Sequence, residues 1–75
     1  MRDDMAAQPK ATAYREFQGQ GSPHADKDGW AWCGATLDAH NRPTNAQYLE
    51  AKTEADAIKE VAVRFNVKNE EIIVK

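Results

Sequence analysis

A single cysteine, Cys33, occurs among the 75 residues. An internal disulfide is therefore excluded, which fits a reducing, cytoplasmic setting. No stretch approaches the roughly 20 apolar residues that span a bilayer as a helix, so no membrane segment is expected. The opening Met1-Arg2-Asp3-Asp4-Met5 lacks the apolar run of a secretory leader. An excess of one charge is also missing. Ten basic residues stand against twelve acidic ones, for a net charge of -2, with the signs interspersed. Nonspecific binding to nucleic-acid backbones needs concentrated positive charge, and this chain does not supply it.

Catalytic and metal signatures are equally sparse. His24, Asp26 and Asp28 stand in an H-x-D-x-D-G run. That run lacks the third acidic ligand and the distal bidentate Glu of a calcium loop. His24, His40 and Cys33 show no close pairing of the kind zinc sites use. Cys33 lies in the middle of an alanine-flanked stretch, where a lone thiol behaves as a small hydrophobe. Gly19-Gln20-Gly21 has no Lys-Ser/Thr and no helix start after it, so it is no phosphate loop. No pair of groups is placed for acid–base or nucleophilic work. The expectation is a protein that is not an enzyme and needs no cofactor or metal.

What is present begins with a helix over Thr53–Phe65. Ile58, Val61, Ala62 and Phe65 recur at i, i+3, i+4 and i+7, and Ala55 extends that face by one turn. Thr53 suits the N-cap, and Glu54 and Asp56 suit the positive end of the helix dipole. Glu60 and Arg64 have the favourable i,i+4 order of an exposed pair. Asn66 tolerates the left-handed conformation that ends a helix, with Val67 folding back on the last turn.

Three strands precede the helix. Ala11–Gln18 alternates as a polar edge strand, with Ala13, Arg15 and Phe17 on one side and Tyr14, Glu16 and Gln18 on the other. Gly19–Gly29 is turn-forming throughout. Trp30–Leu37 is the strongest strand candidate. Asp38–Asn45 reads as a polar loop, and Ala46–Lys52 as the third strand. After the helix, the β-branched run Ile72-Ile73-Val74 suits a buried strand better than an edge. Residues 1–10 read as a disordered tail, and residues 11–75 as a single α+β domain. Its architecture is a small antiparallel sheet in β-β-β-α-β order, with one helix packed on one face. A chain of this size buries only about 60% of its unfolded surface, and one helix covers one sheet face.

The function then turns on which face is left open. In the reading adopted here, Ala31, Cys33, Ala35 and Leu37 lie under the helix. Trp30, Trp32 and Tyr48 then gather on the open face, as aromatic anchors of an interaction site. Arg15, His24, Asp26, His40 and Arg42 adjoin them from the first strand and the loops. The alternative packs both tryptophans under the helix as core. Under the first reading, Trp32→Ala weakens partner binding by roughly 2 kcal/mol or more and leaves the fold intact. The acidic residues Asp26, Asp28, Asp38, Glu50, Glu54, Asp56, Glu60, Glu70 and Glu71 are dispersed, as expected of solvated surface.

In size, acidity, cysteine poverty and element order, residues 11–75 resemble small phage-encoded inhibitors, including some anti-CRISPR proteins. That resemblance implies a non-enzymatic protein that binds a larger protein or nucleoprotein complex and occludes a site on it. It assigns no residue a role. The competing expectations are a single-stranded nucleic-acid binder that stacks bases on the same aromatics, and a homodimer formed through the open face.

Overall fold

The computed structural model describes residues 8–75. Residues 1–7 lie outside the described residues, and with them most of the expected tail. Lys10, assigned to that tail, is fixed in the domain. Its N–H donates to the Glu71 carbonyl (2.7 Å), its carbonyl accepts from Leu37 (2.9 Å), and its ammonium pairs with the Glu71 carboxylate at 3.1 Å.

The elements are β1 (Ala11–Phe17), β2 (Trp30–Leu37), β3 (Pro43–Tyr48), helix α1 (Glu54–Phe65), a 3-10 turn at Asn69–Glu71, and β4 (Ile72–Val74). The fold is α+β in the expected β-β-β-α-β order. Helix α1 starts and stops where its local chemistry dictates. The Thr53 hydroxyl accepts from the Asp56 N–H at 3.2 Å. Asn66 adopts φ 55°, ψ 51°, and the Val67 N–H returns to the Ala62 carbonyl at 3.1 Å. Val67 packs onto the core cluster that contains Val61. The buried stripe is rotated from the predicted one: Ala57 and Val61 are its centre and Ala55 is exposed.

The sheet order is β3-β2-β1-β4. It is mixed rather than antiparallel, because β4 joins β1 in parallel, Ala11 opposite Ile72 and Ala13 opposite Val74. β1 is consequently central, not an edge, and β4 is the short edge strand. The chain leaves β3 at one border, crosses on α1, and lands beyond β1. Among the described residues the one buried polar side chain, Thr12, is satisfied by donating to the Ile73 carbonyl (2.9 Å) across this junction.

The third strand begins and ends earlier than the sequence suggests. Pro43 opens it opposite Leu37, which an edge strand allows because the absent N–H can face solvent. Between the pairs Gly34–Gln47 and Thr36–Thr44, Ala35 faces both Asn45 and Ala46. That is a β-bulge, and Asn45 sits at φ 56° within it. Glu50 to Lys52 never join the sheet. The Glu60 carboxylate takes the N–H groups of Glu50 (2.9 and 3.0 Å) and Ala51 (2.9 Å), drawing this segment onto α1.

The register settles the two faces, and it reverses the adopted reading. Ala13 pairs with Gly34, Arg15 with Trp32 and Phe17 with Trp30. These residues share the face that carries α1. An ideal β-carbon at Gly34 would lie 2.7 Å from Val61, 3.2 Å from Leu49 and 3.3 Å from Phe65. The surface that admits the helix is therefore built by Ala11, Ala13 and Gly34, not by Ala31, Cys33 and Ala35. Trp32 packs half-buried against this core. Full burial of Leu49 and Val61 contributes about 1.5–3 kcal/mol each.

Candidate functional site

Helix α1 does not cover the whole of its sheet face. It packs over Gly34 and the alanines of β1 and leaves the far end of the β1–β2 ladder bare. There Phe17 is 61% exposed and Trp30 38%. Their rings meet edge to face at 5.4 Å and 68°, a favourable aromatic geometry. The Arg15 guanidinium lies over the Trp30 ring, 5.2 Å from its centroid, within cation–π range. Gly29 makes room for the pair. At φ +89° it is in a conformation that side chains disfavour, and a β-carbon there would stand 3.0 Å from Phe17.

The loop that precedes Trp30 is tied down by Asp26. Its Oδ1 accepts from the N–H groups of Asp28 (2.9 Å) and Trp30 (3.0 Å). Its own N–H donates to the Trp30 carbonyl (2.8 Å). These bonds, the Trp30 N–H first, hold the Asp26 carboxyl below its ordinary range, with Arg15 adding a smaller effect. Asp26 is thus a turn-former that fixes the base of Trp30.

The opposite sheet face carries Tyr14, Glu16, Cys33 and Tyr48, with Tyr14 and Tyr48 both opposite Cys33. They border a shallow depression of about 180 Å³, completed by Ala46 and Gln47. The Tyr48 ring is stacked on His24 at 4.5 Å and 8°, and its hydroxyl donates to Gln18 (3.0 Å). Gln18 in turn donates to Glu16 (2.6 Å). Tyr14 and Cys33 are cross-strand neighbours on this face. Burial, then neighbouring charge, pushes both up from their ordinary values. A thiol so placed is a poor thiolate nucleophile.

No family model, curated protein or solved structure matches this chain.

The expected site is therefore divided. Arg15 and Trp30 come together on the helix side, with Trp32 packed against the core beside them. His24 and Tyr48 come together on the opposite face. His40 and Arg42 stand at the β2–β3 hairpin, the other end of β2, on the order of 20 Å from Trp30. There their N–H groups donate to Asp38 Oδ1 at 2.8 and 2.9 Å, closing the turn. Asp26, Asp38, Glu60 and Glu71 are likewise engaged by the backbone rather than merely solvated. Phe17, Gln18, Tyr14 and Glu16 were not singled out by sequence. Their signal lay in the alternation of β1, and it becomes readable only once β1 is in register with β2. Among the described residues no helix is long and apolar enough to cross a membrane.

Proposed function

We propose that this chain is a non-catalytic binding module that engages a protein partner through Arg15, Phe17 and Trp30. The carrying observation is Phe17. It is a large apolar side chain left mostly exposed, edge-on to Trp30, with Arg15 on the tryptophan face. Tryptophan and arginine dominate binding hot spots, and rings that already contact one another lose less freedom on docking than isolated ones. The platform stands at the end of the sheet beyond the helix, where a larger surface can reach it. Occlusion of a site on a protein or nucleoprotein complex, as in the phage inhibitors the chain resembles, is the mode such a small platform suits.

The test compares the tagged protein with its Phe17→Ser variant by pull-down from lysate of the source organism or its host, with quantitative mass spectrometry. Phe17 is exposed, so the variant should lose only its edge contact with Trp30, about 1 kcal/mol, and remain folded. The expected result is a defined complex retained by the original protein and lost by the variant. Equal capture by both would remove the platform from the binding surface.

The Arg15–Trp30 stack also favours a second reading, the stacking of an unpaired base. That reading requires quenching of tryptophan fluorescence by oligonucleotides, with affinity falling steeply with salt. Unchanged fluorescence at low salt eliminates it.

A further inference from the structure

We propose that the depression over Cys33, on the sheet face opposite α1, receives one arginine side chain of a partner protein. Tyr14 and Tyr48 flank it on either side of Cys33, and Glu16, Ala46 and Gln47 complete its lining. Aromatic faces beside a carboxylate attract a cation. A planar guanidinium matches both, stacking on a ring while donating to the carboxylate. The opening suits one side-chain head. At about 180 Å³ it falls below the roughly 300–1,000 Å³ of sites for drug-sized molecules.

The flanking rings are already in place. His24 stacks on Tyr48, Gln18 holds its hydroxyl, and Tyr14 is set opposite Cys33 by the β1–β2 pairing. A ligand therefore orders little on binding. Gln18 occupies one Glu16 oxygen, Oε2. The charge of Glu16 adds to burial in raising Cys33 and Tyr14. Lys52, whose ammonium donates to the His24 carbonyl (3.4 Å), does not line the depression. This site is independent of Arg15, Phe17 and Trp30, so either surface can fail without the other.

The experiment titrates the 15N-labelled protein with the peptide acetyl-Gly-Arg-Gly-amide, followed by amide chemical shifts. Acetyl-Gly-citrulline-Gly-amide supplies the same shape without the charge. The expected result is saturable shifts at Tyr14, Cys33 and Tyr48 with a Kd on the order of 1 mM, and much weaker shifts with citrulline. Glu16→Gln, an exposed position, should weaken binding roughly three- to fivefold, and Tyr48→Leu should weaken it independently. Phe17→Ser should bind as the original does. Equal shifts with arginine and citrulline, no change in Glu16→Gln, shifts centred on Trp30, or no saturation would each overturn the proposal. Methylguanidinium binding as tightly as the peptide would overturn the assignment to a polypeptide.

Discussion

Val61 occupies the space that a side chain on Gly34 would need. The separation between an ideal Gly34 β-carbon and Val61 Cγ2 is 2.7 Å, closer than packed carbons approach. The absence of a side chain at Gly34 is thus one of the conditions for the helix to approach the sheet this closely. Gly34→Ala should destabilise the domain by about 1–3 kcal/mol, the usual cost of overpacking. Urea denaturation measures it. Adding Val61→Ala to Gly34→Ala should cost less than the sum of the separate changes, because the second substitution clears the first. Strict additivity would show that the contact does not limit the approach.

The two tryptophans should separate in a stability measurement. Trp32 packs against the core and Trp30 is 38% exposed. Trp32→Ala is expected to cost about 3 kcal/mol or more, enough to unfold much of a small domain. Trp30→Ala should cost about 1 kcal/mol, chiefly its edge contact with Phe17. Trp32→Ala is therefore a fold mutation rather than the binding mutation expected from sequence. A stable, well-folded Trp32→Ala variant would contradict the register.

Glu60 clamps the chain after β3 to α1. Its carboxylate accepts from the Glu50 and Ala51 N–H groups and pairs with Arg64 at 2.7 Å. Glu60→Ala should lose about 2 kcal/mol, in the range of hydrogen bonds to charged groups. Arg64→Ala should lose under about 1 kcal/mol, as a half-exposed ion pair does. Thermal unfolding ranks the two, and a larger loss for Arg64→Ala would show that the ion pair, not the backbone clamp, matters.

Acid should loosen the domain at two points. Asp26 is held below its ordinary 3.8, chiefly by the Trp30 N–H, and Glu71 below 4.5, chiefly by the Lys68 N–H and then Lys10. A carboxyl whose folded pKa is depressed contributes stability above its unfolded pKa and loses it as pH falls through the folded one. Stability should therefore be level above about pH 5 and decline below about pH 4. Asp26→Asn should flatten part of that decline, and Glu71→Gln another part. A decline unchanged in both variants would place the acid sensitivity elsewhere.

Local chemistry made much of the fold legible in the sequence. Thr53 and Asn66 mark the ends of α1 because capping needs only a hydroxyl near a free N–H and a residue that tolerates positive φ. Trp30–Leu37 was bounded correctly because turn-formers flank a β-prone run. Long-range pairing was not legible. Whether Ala11 and Ala13 or Ala31 and Cys33 lie beneath the helix depends on the register and on the side from which α1 approaches. Alternation along one strand is the same for either choice. The bulge at Asn45, the parallel pairing of β4 and the Glu60 clamp are likewise contacts between segments distant in sequence. The residues of the candidate site were thus partly visible as types, aromatic and arginine, but their grouping was not. Strand pairing joined Arg15 and Phe17 to Trp30 and sent Tyr48 to the other face, because a period of two fixes which residues share a side but not which side is buried.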